Sequence, residues 1–246
     1  RGDQPSYLWR IHHALDHAVS DGLGCMAQLH EIRHLGAPAA AIGRGLDIVA
    51  RSRHPKRRIG LTAGARQYIG SQGVIQGTYE IFMRIAEHRF AGSLKGRFIL
   101  TAGMGGMGGA QPLAGRLAGA AILCVDVDAE RVAMRHEIGF VDEIATDLDD
   151  ALARIAAAQA QGRALSVGLV GNAAEVFPEI AARGITPDIV TDQTAAHDLV
   201  FGYVPAGYDL DRVRRLREQN PDELITAGRE SIVRHVTAML EYQKRG

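Results

Sequence analysis

The sequence predicts an α/β protein: a Rossmann-like, doubly wound parallel sheet with an added helical segment at its N-terminus. Three observations predict it. Short apolar runs alternate with helical patterns from Arg97 onward, a glycine cluster directly follows the first run, and an aspartate ends the second. Such alternation is the mark of a parallel sheet covered on both faces, because each crossover helix must pack back onto the sheet.

From Ser6 to about Val49 the pattern is helical, with helices near Leu8 to Val19, Cys25 to His34 and Gly43 to Val49, separated by glycines and a proline. The basic run from Arg51 to Arg58 then reads as a linker or surface turn, since it lacks the interleaved aromatics of a nucleic-acid surface. It divides a helical segment of unassigned role, 1–58, from a Rossmann domain, 59–246.

Beyond the boundary, Gln72 to Gly77 precedes a helix from Thr78 to about His88. Arg97 to Thr101 reads as a buried strand, and Gln111 to Ala118 as a helix that tolerates Pro112 in its first turn. Ala121 to Asp126 is the next strand. Helices near Ala129 to His136 and Asp149 to Ala158, a strand from Leu165 to Val170, a helix from Ala173 to about Arg183 and a strand from Asp188 to Thr191 complete the alternation. The C-terminal stretch is helical, with Ile232, Val236, Met239 and Leu240 spaced as one buried stripe.

Composition excludes several classes. Apolar residues make up 46% and charged residues 23% of the 246, which suits a soluble globular protein rather than a disordered or fibrous one. Lys plus Arg and Asp plus Glu balance at 28 each, so no net field attracts nucleic acid or an anionic membrane. No apolar run approaches the roughly 20 residues that cross a bilayer, and no signal-peptide core is present. Cys25 and Cys124 form no Cys-x-x-Cys pair, which fits a reduced, cytoplasmic setting.

The chemical signal is the stretch from Thr101 to Ala110, where Gly103, Gly105 and Gly108 have the G-x-G-x-x-G spacing between a strand and a helix. Glycines let a pyrophosphate approach backbone amides that a Cβ would screen. Asp126, ending the second strand 18 residues after Gly108, is placed to accept hydrogen bonds from the adenosine ribose, and its charge disfavours a 2′-phosphate. The pattern therefore points to NAD rather than NADP, with Asp128 a weaker ribose partner. A glycine-rich turn in another kind of α/β protein is the alternative. Two later strands run into Gly171-Asn172-Ala173 and into Asp192 to Asp198, whose amide, hydroxyl and imidazole groups suit a nicotinamide. Helix capping by Asn172 and Asp192 accounts for them equally well.

These segments together resemble urocanase, the urocanate hydratase of histidine degradation, from about Leu61 to Gly246. The resemblance is carried by Tyr68 to Gly73, Gln76 to Glu80, Gly92 to Gly96, Gly103 to Leu113, Val141 to Glu143, Ala145 to Leu152, Gly171 to Glu175 and Asp192 to Asp198. It implies that Gly106, Met107 and Gly108 line an NAD pyrophosphate and that Asp126 and Arg131 serve the adenosine end. Asn172, Ala173, Gln193, Thr194, Ala195, Ala196, His197, Tyr203 and Val204 would lie along the cofactor. It further implies a lyase that adds water to urocanate, or to a relative, with NAD as an electrophile, and a homodimer.

Departures are local. The family's catalytic cysteine lies downstream of this chain's last residue, so no catalytic residue is assigned here and the chain alone is expected to bind NAD without completing turnover. Cys124, inside a strand, reads as a core residue. Gly60, Ala65-Arg66 and Ala195 replace the family's usual glutamine, Ser-Trp and serine, and Asp198 to Pro205 departs from the family's Asp-Pro-Leu-Asn-Gly-Tyr-Leu-Pro. Residues 1–58 show no such resemblance. Their His30-Glu31-Ile32-Arg33-His34 matches H-E-x-x-H, a zinc-hydrolase pattern, but spacing identifies no third ligand.

Overall fold

The computed structural model describes residues 70–245. The expected boundary near Arg58, the N-terminal helices and the H-E-x-x-H stretch lie outside the described residues. The unit spanning Gly77–Gly246 holds the whole sheet.

Helix α1, Gly70–Arg89, leads to β1, Phe98–Ala102, and a 3-10 turn at Gly108–Ala110 opens into α2, Gln111–Leu117. There follow β2 (Ala121–Asp126), α3 (Ala129–Glu137), β3 (Glu143–Ala145), α4 (Leu148–Gln161), β4 (Leu165–Val170), α5 (Ala173–Ala182), β5 (Ile189–Val190), α6 (Leu210–Gln219) and α7 (Pro221–Arg245). All strand pairs are parallel, in the order β3-β4-β2-β1-β5. The chain thus passes from β1 to its neighbour β2, skips one position to lay down β3 at the edge, returns to place β4 between β2 and β3, then crosses to the other side of β1 to lay down β5. The ends of β1 and β5 flank that reversal, which is where open α/β sheets bind ligands.

Strand periodicity divides the side chains between two helical layers. On one face Leu100, Leu123 and Val167 form a core with Ile155 of α4 and Phe177 and Ile180 of α5. On the other face Gly115 of α2 lies against Ile122, where a Cβ would come 2.7 Å from Cδ1, and Gly168 of β4 lies under Val132 of α3 and Val141. Helices therefore cover both faces, as the alternation of patterns predicts. Each fully buried Leu, Ile or Val contributes roughly 1.5–3 kcal/mol. That burial sustains α5 across Pro178, which lacks the amide owed to the Ala174 carbonyl.

Three expectations are corrected. Gln72 to Gly77 is not a prelude to α1 but part of it, since the helix runs unbroken from Gly70. A short edge strand, β3, exists where no apolar run marks it; three residues suffice because Ile144 and Ala145 pair with Gly168 and Leu169 of β4. The inward face of α7 also departs from the stripe of Ile232, Val236, Met239 and Leu240, of which Met239 packs against the core. Leu224, Gly228, Ser231, His235, Ala238 and Tyr242 are buried, whereas Val236 and Leu240 are 44% and 51% exposed. The physical reason is polar anchoring. Ser231 Oγ accepts the Ala206 amide at 2.9 Å and Tyr242 donates to the Phe177 carbonyl at 2.6 Å, which fixes the rotation of α7 against α5 and the 203–206 segment.

Candidate functional site

The glycine turn after β1 packs against the residues that leave β5. Gly103 has φ +83°, a left-handed conformation that side chains disfavour, and a Cβ there would lie 2.6 Å from the Gln193 carbonyl. A Cβ on Gly108 would lie 1.7 Å from the Gly103 carbonyl oxygen and 2.8 Å from Gln193 Cβ. Gly105 differs, because a Cβ there meets no heavy atom within 4 Å. The three glycines therefore divide the work: Gly103 for the tight turn, Gly108 for close packing, and Gly105 for open space beside the backbone. The motif's spacing predicts that all three clear the approach of a ligand; only Gly105 has that geometry.

Amide accounting points to the same place. Gly103 N donates to the Val125 carbonyl, Gly109 N to Gly105 and Ala110 N to Met107. The amides of Gly105, Gly106, Met107 and Gly108 have no acceptor among the described residues. Gly106 is exposed and Gly105 and Met107 are half-buried, so these three donors lie at the surface and suit an anion, while Gly108 is buried.

Asp126 ends β2 beside this turn. Its Oδ2 accepts the Met104 amide at 2.5 Å, its Oδ1 accepts the Asp128 amide at 3.0 Å, and Arg131 Nη1 reaches both oxygens at 3.0 and 3.1 Å. The Asp126 side chain is 2% exposed and that of Arg131 39%, so the arginine forms the outer edge of the pair. Asp128 is the N-cap of α3, accepting the amides of Glu130 and Arg131, which accounts for its presence without a ligand.

At the second rim, Asn172 is the N-cap of α5: its Oδ1 accepts the Ala174 amide at 2.9 Å, while its Nδ2 donates to the Val204 carbonyl at 3.0 Å. Capping thus explains half of the Asn172 side chain, and the other half ties the end of β4 to the 203–206 segment. Ala173 is buried in the first turn of α5. Asp192 caps no helix. Its carboxylate instead accepts the amide and hydroxyl of Thr194 in a local turn at 2.9 and 2.8 Å. The Gln193 amide continues the ladder to the Ala102 carbonyl at 2.8 Å, which holds Gln193 beside Gly103.

From Ala195 to Tyr203 the chain folds on Asp198, whose Oδ1 accepts the amides of Val200 and Phe201. Ala195 and Ala196 are half-buried, and Gln193 and His197 are exposed. Tyr203 and Val204 are buried. The Tyr203 hydroxyl and His235 Nε2 are buried with no hydrogen-bond partner among the described residues. Burial, and next the charge of Asp192, push the Tyr203 phenol up to about 12. Burial lowers the His235 pKa while the Asp192 carboxylate works against it.

Arg135 carries no signal in the sequence, yet it belongs to the site. It lies on α3 one turn after Arg131, and its Nε and Nη2 donate to the carbonyls of Met104 and Gly105 at 3.2 and 2.8 Å. Only the pairing of β1 with β2 shows that α3 reaches back under the turn. Cys124, inside β2, is fully buried and burial pushes its thiol up, as its reading as a core residue requires. Among the described residues no three His, Cys, Asp or Glu side chains gather as metal ligands, and no helix is long and apolar enough to cross a membrane.

A doubly wound parallel sheet with a glycine turn at its strand reversal defines a protein of the Rossmann-like, nucleotide-binding class. Within that class the family model that matches is the urocanase Rossmann-like domain, over residues 70–246. The chain belongs to the urocanase family.

Proposed function

We propose that this chain holds NAD at the reversal between β1 and β5 and serves as the NAD-binding domain of a urocanate hydratase-like lyase, adding water to urocanate or a close relative to give an imidazolonepropionate. The observation that carries the reading is the run of amides from Gly105 to Gly108 without acceptors among the described residues, with Gly105, Gly106 and Met107 at the surface and open space beside Gly105, at the reversal of the sheet topology. A diphosphate supplies the acceptors that those amides lack.

The residues present fit the rest of the dinucleotide. Arg131 offers donors at the adenosine end, backed by the buried Asp126 carboxylate. Gln193, Thr194 and His197 line the opposite rim, where a nicotinamide extends from the diphosphate. The Tyr203 hydroxyl, buried and without a partner among the described residues, is a donor available to a carboxamide or a water beside it. When bound, the oxidised nicotinamide supplies an electron sink for the substrate's imidazole, so that water adds with no net redox change. The protein's part is to bind, orient and exclude water. Cys124 does not act as a nucleophile, being sealed in the sheet. A cytoplasmic setting and a homodimer belong to the same proposal.

Mass spectrometry of small molecules released from the purified chain, followed by titration calorimetry with NAD and NADP, tests the reading. Release of NAD, or tighter binding of NAD than of NADP, is the expected result. A chain that binds neither dinucleotide refutes it.

A further inference from the structure

The loop that would receive the diphosphate is held from behind by one side chain that no sequence motif marks. Arg135 Nε donates to the Met104 carbonyl at 3.2 Å and Nη2 to the Gly105 carbonyl at 2.8 Å. In a trans peptide the C=O of one residue and the N–H of the next point in opposite directions, and the described backbone contains no cis bond. Turning the Met104 and Gly105 carbonyls toward the guanidinium therefore turns the Gly105 and Gly106 amides away from it. Those two amides begin the row that has no acceptor among the described residues.

Gly109 makes room for this contact. A Cβ at that position would lie 2.3 Å from Arg135 Cζ and 2.4 Å from its Nε and Nη2, so the guanidinium passes directly beneath the start of the helical turn. Phe140 flanks it on the far side, its ring centroid 5.7 Å from Cζ. The loop is thereby gripped at consecutive points: Asp126 takes the Met104 amide, and Arg135 takes the next two carbonyls. A glycine-rich segment has more backbone freedom to lose than any other, so fixing it before the ligand arrives removes part of the cost of binding.

We infer that Arg135 is a positioning residue for diphosphate recognition: its guanidinium orients the peptide planes of Met104 and Gly105 so that the following amides face the ligand, and Gly109 is required so that it can. This inference rests on the NAD reading above. Arg135 touches no ligand itself and acts through the loop.

Calorimetric titration of the full chain and of Arg135→Met with NAD, ADP-ribose and adenosine separates positioning from general stabilisation. Losing two charge-assisted hydrogen bonds behind the loop weakens NAD and ADP-ribose by about tenfold to a hundredfold, and leaves adenosine, which has no diphosphate, within about twofold. Arg135→Lys, which keeps the charge but has a single donor nitrogen in place of the guanidinium fork, restores part of the difference. Gly109→Ala displaces the guanidinium tip while leaving the arginine in the chain, so it reproduces the same selective loss and decides the matter should Arg135→Met fold poorly. Equal weakening of all three ligands, or none, overturns the inference while NAD binding by the unaltered chain stands. Failure of the unaltered chain to bind NAD or ADP-ribose overturns the NAD reading and this inference with it.

Discussion

The carboxylate of Asp126 accepts the backbone amide of Met104 at 2.5 Å, across the seam between β2 and the turn that follows β1. An acid read from sequence as a ribose ligand is thus also the bolt that fixes the first residue after the tight glycine. Asp126→Asn removes the charge that Arg131 compensates and places an amide NH₂ where donors already converge. A loss of about 2–4 kcal/mol in urea unfolding is expected, from the lost buried charge pair and the frustrated amide, with Arg131 keeping only its contact to Asp128. A change under about 0.5 kcal/mol would show that the turn is held without it.

The glycines separate stability from binding. Gly103→Ala forces a side chain into a left-handed backbone and against Gln193, costing about 2–5 kcal/mol of stability. Gly105→Ala, with nothing near its Cβ, leaves stability within about 1 kcal/mol but weakens NAD at least about tenfold by intruding where the diphosphate would lie. The two variants are to be compared by denaturation and by calorimetry; similar behaviour in both assays contradicts the division of roles.

Stability against pH has two limbs that named residues control. The His235 pKa is lowered from its ordinary 6.5 by burial, so the unfolded chain takes up a proton that the folded chain refuses. Stability is then present above about 6.5 and declines as pH falls through that value, before the carboxylates titrate. Tyr203, raised to about 12, works in the other direction: the unfolded phenol ionises near 10 while the folded one does not, so stability falls as pH rises from 10 toward 12. Urea titrations from pH 5 to 11.5 on ligand-free protein test both. His235→Phe flattens the decline between 6.5 and 5, and Tyr203→Phe makes the alkaline one shallower, the rest belonging to Tyr242 and Cys124, whose acidities burial also weakens; unchanged slopes refute these assignments.

Rotation of α7 is checked at two neighbouring positions. Val236→Gln, on the exposed face, changes stability by less than about 0.5 kcal/mol. Ala238→Gln, 3% exposed, costs about 2–4 kcal/mol by overpacking and by burying an unpaired amide. The reverse order would restore the stripe read from apolar spacing.

Much of the fold is legible in the amino-acid sequence. Ala121 to Asp126 and Leu165 to Val170 read as strands and form them residue for residue, because a wholly buried parallel strand must be a short apolar run between turn signals. Pro112 in the first turn of α2 and Asn172 at the start of α5 are readable because caps and first turns are local chemistry. Local patterns fall short where a distant partner decides. β3 is three residues whose only warrant is the edge of β4, and α7 takes its rotation from Ser231 and Tyr242, two polar residues with remote acceptors or donors.

The sequence by itself determined the class of fold, the glycine turn, the acid that follows it and the family resemblance, since each is written in residues close together along the chain. Tertiary structure alone decided which of the three motif glycines has open space beside it, that Asp126 and Arg135 grip one loop from two directions, and that β5 returns to pair with β1. These are contacts between residues 22 to 91 positions apart, and hydrogen-bond partners at such separations are chosen by how helices and strands pack rather than by any local pattern.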